Sequence, residues 1–155
     1  MLPMGAYRSL IRWIGDKPWF RWAARWVLPK VDRFLLRFGW RATPFPTLLL
    51  TTDGHRSGEP HHAPLYYLED EGFVVIASNY GNHEPDWSRN LAAAPACTVK
   101  VGRVAMATHA EPVAADHWHR YLDGFAEFYP SYRDYVARAG REIPMWRLVP
   151  QSAEA

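Results

Sequence analysis

Between Thr47 and Leu91 the chain reads TLLLTTDGHRSGEPHHAPLYYLEDEGFVVIASNYGNHEPDWSRNL. Three apolar runs, 47–52, 64–68 and 73–78, are rich in Val, Ile, Leu, Tyr, Phe and Thr and are bounded by Gly, Asp and Pro. Short β-branched and aromatic runs between such breakers read as strands joined by turns. Asp70-Glu71-Gly72 is a tight hairpin signal between the second and third runs. The first turn, Asp53 to Pro60, holds two glycines, an arginine, a hydroxyl and an imidazole. It is either a plain hairpin loop or a turn whose backbone N–H groups and positive charge face an anion.

The remainder continues the same rhythm. Pro85 opens a helix over 86–94, with Trp87 and Leu91 on one face, and Pro95 stops it. Runs 97–101 and 104–111 flank the two-residue turn Gly102-Arg103 and form a hairpin. Residues 114–128 form a helix with Trp118, Leu122 and Phe125 on one stripe. Ser131 is placed to cap a further helical turn that puts Tyr132 and Tyr135 on one face. Residues 144–149 make a last strand. The tally is five or six antiparallel strands, a helix after strand three and a C-terminal helical segment. Hairpin-linked strands argue for a closed or half-closed antiparallel barrel; a parallel sheet would need a helix between each pair.

Net charge is +2, but residues 1–41 carry nine Lys/Arg against two acids, and residues 42–155 carry nine against fourteen. Five of the eight tryptophans, Trp13, Trp19, Trp22, Trp26 and Trp40, lie in that first segment. Trp19, Trp22, Trp26, Phe34 and Phe38 recur at helical spacing, with Arg21, Arg25, Arg33, Arg37 and Arg41 mostly off the stripe. This is an amphipathic helical extension with two readings: a cover for one side of the barrel, or a surface that sits on anionic lipid. No run approaches the roughly 20 apolar residues of a spanning helix, and cations interrupt any signal-peptide pattern. The expected division is an extension over 1–41, a barrel over 42–150 and a tail over 151–155. A cytoplasmic location follows, with peripheral attachment to the inner face of the cell membrane if the lipid reading holds.

Several chemistries are disfavoured. His61 and His62 are adjacent and face opposite ways on a strand, and no His-x₃-His pair exists, so no metal site is expected. The lone Cys97 excludes an internal disulfide and reads as a small buried residue. Gly54–Gly58 lacks the Lys-Ser/Thr of a nucleotide loop, and no Gly-x-Ser-x-Gly elbow occurs. The basic front matches no nucleic-acid module.

The combined order of Leu48-Leu49-Leu50-Thr51-Thr52-x-Gly54-x-Arg56-Ser57-Gly58-x-Pro60, Pro64-Leu65-Tyr66-Tyr67, Ala77-Ser78, Pro85-x-Trp87, Asn90-Leu91 and Tyr129-Pro130-Ser131-Tyr132-x-x-Tyr135 resembles the deazaflavin-dependent nitroreductase family. These are actinobacterial split-barrel oxidoreductases, and the resemblance covers about residues 40–150. It implies a split antiparallel β-barrel of FMN-binding type, mainly β in an α+β chain. It also implies coenzyme F-420, an 8-hydroxy-5-deazaflavin, as cofactor. The anionic tail of the cofactor would then lie on His55, Arg56, Ser57 and His61. Its ring would lie along His62, Ala63, Pro64, Leu65 and Tyr66 and along Ile76, Ala77, Ser78 and Asn79. The helix start, Asp86, Trp87, Ser88, Arg89 and Asn90, would complete the groove. Tyr129, Tyr132 and Tyr135, with Ser78, would wall the substrate and orient it or donate a proton. The family commonly carries cations at the positions of His61 and near Asn79, so the anion site here rests mainly on Arg56.

The expected reaction is hydride transfer from reduced F-420 to a quinone, a nitroaromatic or an activated enone. Such transfer needs a cofactor held flat in a dry pocket, not a protein nucleophile. The rivals are an FMN-binding split-barrel reductase and a membrane-associated carrier of deazaflavin or lipid without turnover. No nucleic-acid partner is expected, and oligomeric state is left open.

Overall fold

The computed structural model describes residues 45–152, and the extension over 1–41 and the tail beyond Ser152 lie outside the described residues. Seven strands, all antiparallel, form one sheet: β1 (Thr47–Asp53), β2 (Pro60–Tyr66), β3 (Leu68–Glu69), β4 (Phe73–Ile76), β5 (Ala96–Val101), β6 (Val104–Pro112) and β7 (Met145–Pro150). A 3-10 turn spans Asn79–Gly81. Helix α1 spans Asp86–Ala93, α2 Ala115–Phe128 and α3 Ser131–Ala139. The order across the sheet is β2-β1-β5-β6-β7-β4-β3, and the sheet curls into a half-barrel.

The strand chemistry explains the curl and its two-sided core. In β1, Leu48, Leu50 and Thr52 alternate inward with partly exposed neighbours, the period-2 pattern of a strand with one wet face. In β4 all four residues are buried. Phe73 and Val75 join one cluster with Leu48, Leu50, Trp87, Val99, Trp146 and Leu148. Val74 and Ile76 join a second cluster with Tyr121, Leu122, Phe125, Tyr132 and Tyr135. Helices α2 and α3 thus cover one face of β4 and β7, which is why β4 reads as a continuous apolar run. Trp118 is tied down by its indole N–H, which donates to the Ile143 carbonyl at 2.8 Å.

Three sequence expectations are revised. Among the described residues there are seven strands, not five or six. The run 64–68 is two strands: β2 starts at Pro60, where it pairs with Asp53, and ends at Tyr66. The Tyr67 N–H donates to the Pro46 carbonyl, and Leu68–Glu69 then pairs with β4. The turn at Asp70–Gly72 therefore joins β3 to β4, while β2 pairs with β1. Finally, Ser131 does not cap α3: Pro130 occupies the cap, Ser131 is the first helical residue, and no side chain bonds there.

Candidate active site

A cleft opens between β2, the end of β4, the start of α1 and the tyrosine-bearing α2–α3 corner. It encloses about 120 Å³; counting its open mouth, about 580 Å³ is free of protein atoms. Pro64, Leu65 and Tyr66 form one wall, Ile76, Ser78 and Asn79 another, and Trp87 closes one end. Tyr129, Tyr132 and Tyr135 form the third wall. Helix α3 places Tyr132 and Tyr135 three residues apart on one face, and Tyr129 ends α2. Their rings pack edge-on, Tyr129 with Tyr132 at 5.3 Å and Tyr132 with Tyr135 at 5.9 Å between centroids. The Tyr129 and Tyr135 hydroxyls lie 3.4 Å apart. Such mutual packing fixes the rings and leaves a rigid wall. The Ser78 hydroxyl makes no hydrogen bond among the described residues.

Ten expected residues therefore meet around one cleft. Two lining residues were missed, Tyr80 and Pro85. Tyr80 sits in a left-handed conformation, φ 57°, and its ring packs on Tyr135 at 5.5 Å. The string Asn79-Tyr80-Gly81-Asn82 is rich in turn formers, and that was its signal.

The β1–β2 turn forms a separate, exposed feature. His55, Arg56, Ser57 and His61 are all exposed. The Ser57 and His61 side chains close over Gly54: a Cβ there would fall 2.6 Å from Ser57 Oγ and 2.8 Å from His61 Nε2, and these two exposed side chains would have to move. The hydroxyl and the imidazole thus converge over bare backbone, a cradle that a methyl group would fill. The Gly54 and Gly58 N–H groups are bonded to Glu59 and Gly54 carbonyls, and the Glu59 N–H to Ser57 Oγ at 3.2 Å. The His55 N–H donates to Asn90 Oδ1 at 2.9 Å, and the same oxygen lies 2.6 Å from His55 Nδ1. An amide oxygen only accepts, so His55 carries its proton on Nδ1. His62 is held elsewhere, its Nδ1 2.8 Å from Thr51 Oγ1.

The remaining expected residues are not in the cleft. Ser88 and Asn90 are buried, 0% and 1% exposed. Ser88 donates to Glu84 at 2.7 Å and accepts from the Trp146 indole at 2.9 Å. Asn90 bridges His55 to Thr52 Oγ1, 3.0 Å from its Nδ2. Both are posts that hold α1 in place. Ala63 and Ala77 pack into the cluster of Leu48 and Trp87. Asp86 and Arg89 lie on the outer side of α1, 4.0 Å apart. Cys97 is buried, its Sγ 3.1 Å from Thr108 Oγ1, and burial pushes its thiol up. That is the opposite of an activated thiolate. No group of three His, Cys, Asp or Glu among the described residues is arranged to hold a metal.

The sequence profile described as F420H(2)-dependent quinone reductase matches residues 25–150. The chain belongs to that family. Its front boundary lies inside the basic segment, so the family pattern reaches beyond the described barrel. The chain is 31% identical over 108 residues to the F420H(2)-dependent quinone reductase Rv1261c of Mycobacterium tuberculosis, covering 64% of this chain and 70% of that one. Among solved structures it resembles an F-420-dependent reductase, FDR-A, with 28% identity and a TM-score of 0.60 over 66% of this chain and 93% of that one. An FAD-binding protein of Mesorhizobium loti, 17% identical with a TM-score of 0.51 over 71% and 84%, shares the fold. The half-barrel is thus a split β-barrel, and the family is one of oxidoreductases whose cofactor is coenzyme F-420.

The residues present fit such a cofactor. A flat ring suits an aromatic cleft, and an anionic tail would meet the Arg56, Ser57 and His61 side chains, because the backbone N–H groups of Gly54, His55, Gly58 and Glu59 are already bonded within the protein. β2 connects the two: His61 and Tyr66 are separated by roughly 16 Å at about 3.3 Å per residue.

Proposed function

We propose that this chain transfers a hydride from reduced coenzyme F-420 to a quinone in the tyrosine-walled cleft. The observation that carries it is the placement, on one strand, of a turn bearing Arg56, Ser57 and His61 at one end and an aromatic cleft at the other, in a quinone-reductase family member. Reduced deazaflavin, when bound, supplies the hydride. The chain supplies the rest. Arg56, Ser57 and His61 bind the anionic tail, while Pro64, Leu65 and Ile76 present an apolar surface to the ring. Trp87 closes the end, and Tyr66, Tyr129 and Tyr132 exclude water. The quinone oxygen that gains negative charge needs a proton, and the hydroxyls of Tyr132, of the Tyr129–Tyr135 pair and of Ser78 are candidate donors lining the cleft.

Anaerobic steady-state turnover of reduced F-420 with menadione tests this directly. Turnover with menadione exceeding that with a nitroaromatic or a cyclic enone is expected. Binding of F-420 without turnover on any acceptor would leave a carrier, and tighter binding of FMN than of F-420 would reassign the cofactor.

The basic front supports a second element of the reading: residues 1–41 form an extension that attaches to anionic lipid and brings the cleft near lipid-soluble quinones. Nine cations and five tryptophans in 41 residues support it, since cations near an anionic leaflet contribute about 1 kcal/mol each. Among the described residues no helix is long and apolar enough to cross a membrane. The full chain should co-sediment with anionic vesicles at low salt and not with zwitterionic ones. Equal recovery in both supernatants refutes the attachment.

A further inference from the structure

We propose that Arg141, between α3 and β7, is a positioning residue that sets the backbone of the cleft wall at Ser78 and Asn79; its functional part rests on the reading above. All three guanidinium nitrogens donate to main-chain carbonyls. Nε reaches Asn82 O at 2.9 Å, Nη1 reaches Glu142 O at 3.2 Å, and Nη2 reaches Ala77 O at 3.0 Å and Ser78 O at 3.4 Å. Three of these four acceptors belong to the segment that leaves β4 and carries Ser78, Asn79 and Tyr80 into the cleft. Among the described residues Arg141 has no carboxylate partner, so its charge is spent on carbonyl dipoles.

That segment needs holding. Asn79, Tyr80 and Gly81 have φ of 43°, 57° and 82°, three successive left-handed residues, two of them with side chains. Such runs persist only where the surroundings impose them. Gly81 lies against α3 so closely that a Cβ would stand 3.0 Å from the Tyr135 carbonyl and 3.2 Å from Arg138 Cβ. Only two backbone bonds close the turn internally, Gly81 N–H to Ser78 O and Asn82 N–H to Asn79 O. Arg141 grips it from behind at both ends.

The grip has a chemical consequence. In a trans peptide the N–H points opposite to the C=O. With the Ala77 and Ser78 carbonyls turned to Arg141, the Ser78 and Asn79 N–H groups point away from it. Neither donates to another described residue. A carbonyl that accepts from a cation polarises its own peptide and makes the N–H a better donor. Arg141 therefore aims and strengthens two adjacent donors on the cleft segment, suited to a ligand carbonyl or ring nitrogen.

The test uses the full chain and the variants Arg141→Ala and Arg141→Lys, with Val99→Ala as a remote core control that loses stability. Two quantities are read: amide hydrogen exchange at Gly81 and Asn82 relative to the strands, and F-420 affinity by fluorescence titration. R141A should speed exchange at Gly81 and Asn82 tenfold or more and weaken F-420 binding about tenfold. R141K, which keeps the charge but lacks the fork, should behave similarly, and V99A should change neither selectively. If R141A fails to fold, R141K alone decides. Unchanged exchange in the variants overturns the positioning role, and raised exchange with unchanged affinity overturns its tie to the ligand. Absence of F-420 binding by the wild type would instead overturn the proposed function, leaving the exchange result to stand on its own.

Discussion

Asn90→Ala is the substitution whose cost the structure specifies best. Asn90 is 1% exposed, and its amide makes three contacts: two from His55 to Oδ1 and one from Nδ2 to Thr52 Oγ1. A net hydrogen bond contributes about 1 kcal/mol, and an abandoned buried polar partner costs about 1–3 kcal/mol. The three bonds do not weigh equally. His55 is exposed, so water replaces Asn90 at its ring and N–H. Thr52 is 2% exposed, so its hydroxyl loses a partner without gaining water. The sum is about 2–4 kcal/mol, a large part of the ~5–15 kcal/mol that holds a domain together. It corresponds to a melting-point drop of roughly 6–15 °C for a chain of this size. Circular dichroism melts and urea titration measure it. A double-mutant cycle with His55→Ala should return a coupling of about 1 kcal/mol. A loss below about 0.5 kcal/mol, typical of an uninvolved surface site, would falsify the assignment of Asn90 as the post between turn and helix.

The other expectations are shorter. Asp70 accepts from the Tyr121 hydroxyl and faces Arg120 and Arg147, and these hold its carboxyl below the usual range. A depressed folded value means stability present at neutral pH and lost as pH falls below about 4; the urea-midpoint gap between wild type and Asp70→Asn should shrink on acidification. Cys97 has its thiol raised by burial, so native protein should react with a thiol reagent roughly a hundredfold slower than unfolded protein. Because the folded value is the higher one, the Cys97 contribution is intact below the ordinary thiol value and is lost as pH rises past it, an effect Cys97→Ser should remove. Arg56→Ala should weaken F-420 binding by about 1.5–3 kcal/mol at low salt, and an unchanged dissociation constant would take Arg56 out of the site. Tyr132→Phe removes a hydroxyl and little packing area, so turnover should fall more than melting temperature; equal turnover makes Tyr132 wall only.

What the sequence made legible follows the range of the interactions involved. Alternation and turn formers are local, so β1, β5, β6 and the Gly102-Arg103 hairpin emerge within a residue or so of their ends. The break at Tyr67 is not local: it depends on the Pro46 carbonyl accepting the Tyr67 N–H, and so the two-residue β3 merged with β2 in the sequence. Site residues divide on the same principle. The cleft tyrosines share one helix face or adjoin it, so their spacing brings them together. Ser88 and Asn90 carry the polar chemistry of ligand contacts, yet partners far away in sequence, Trp146, His55 and Thr52, turn them inward. Arg141 shows the converse. It stands 63 residues from Ser78, whose carbonyl it binds, and no periodicity or motif links the two. Residues that line the cleft share motifs or a helix face and so stand out in the sequence; a residue such as Arg141 is tied to the cleft segment only by the fold that brings carbonyl and guanidinium together.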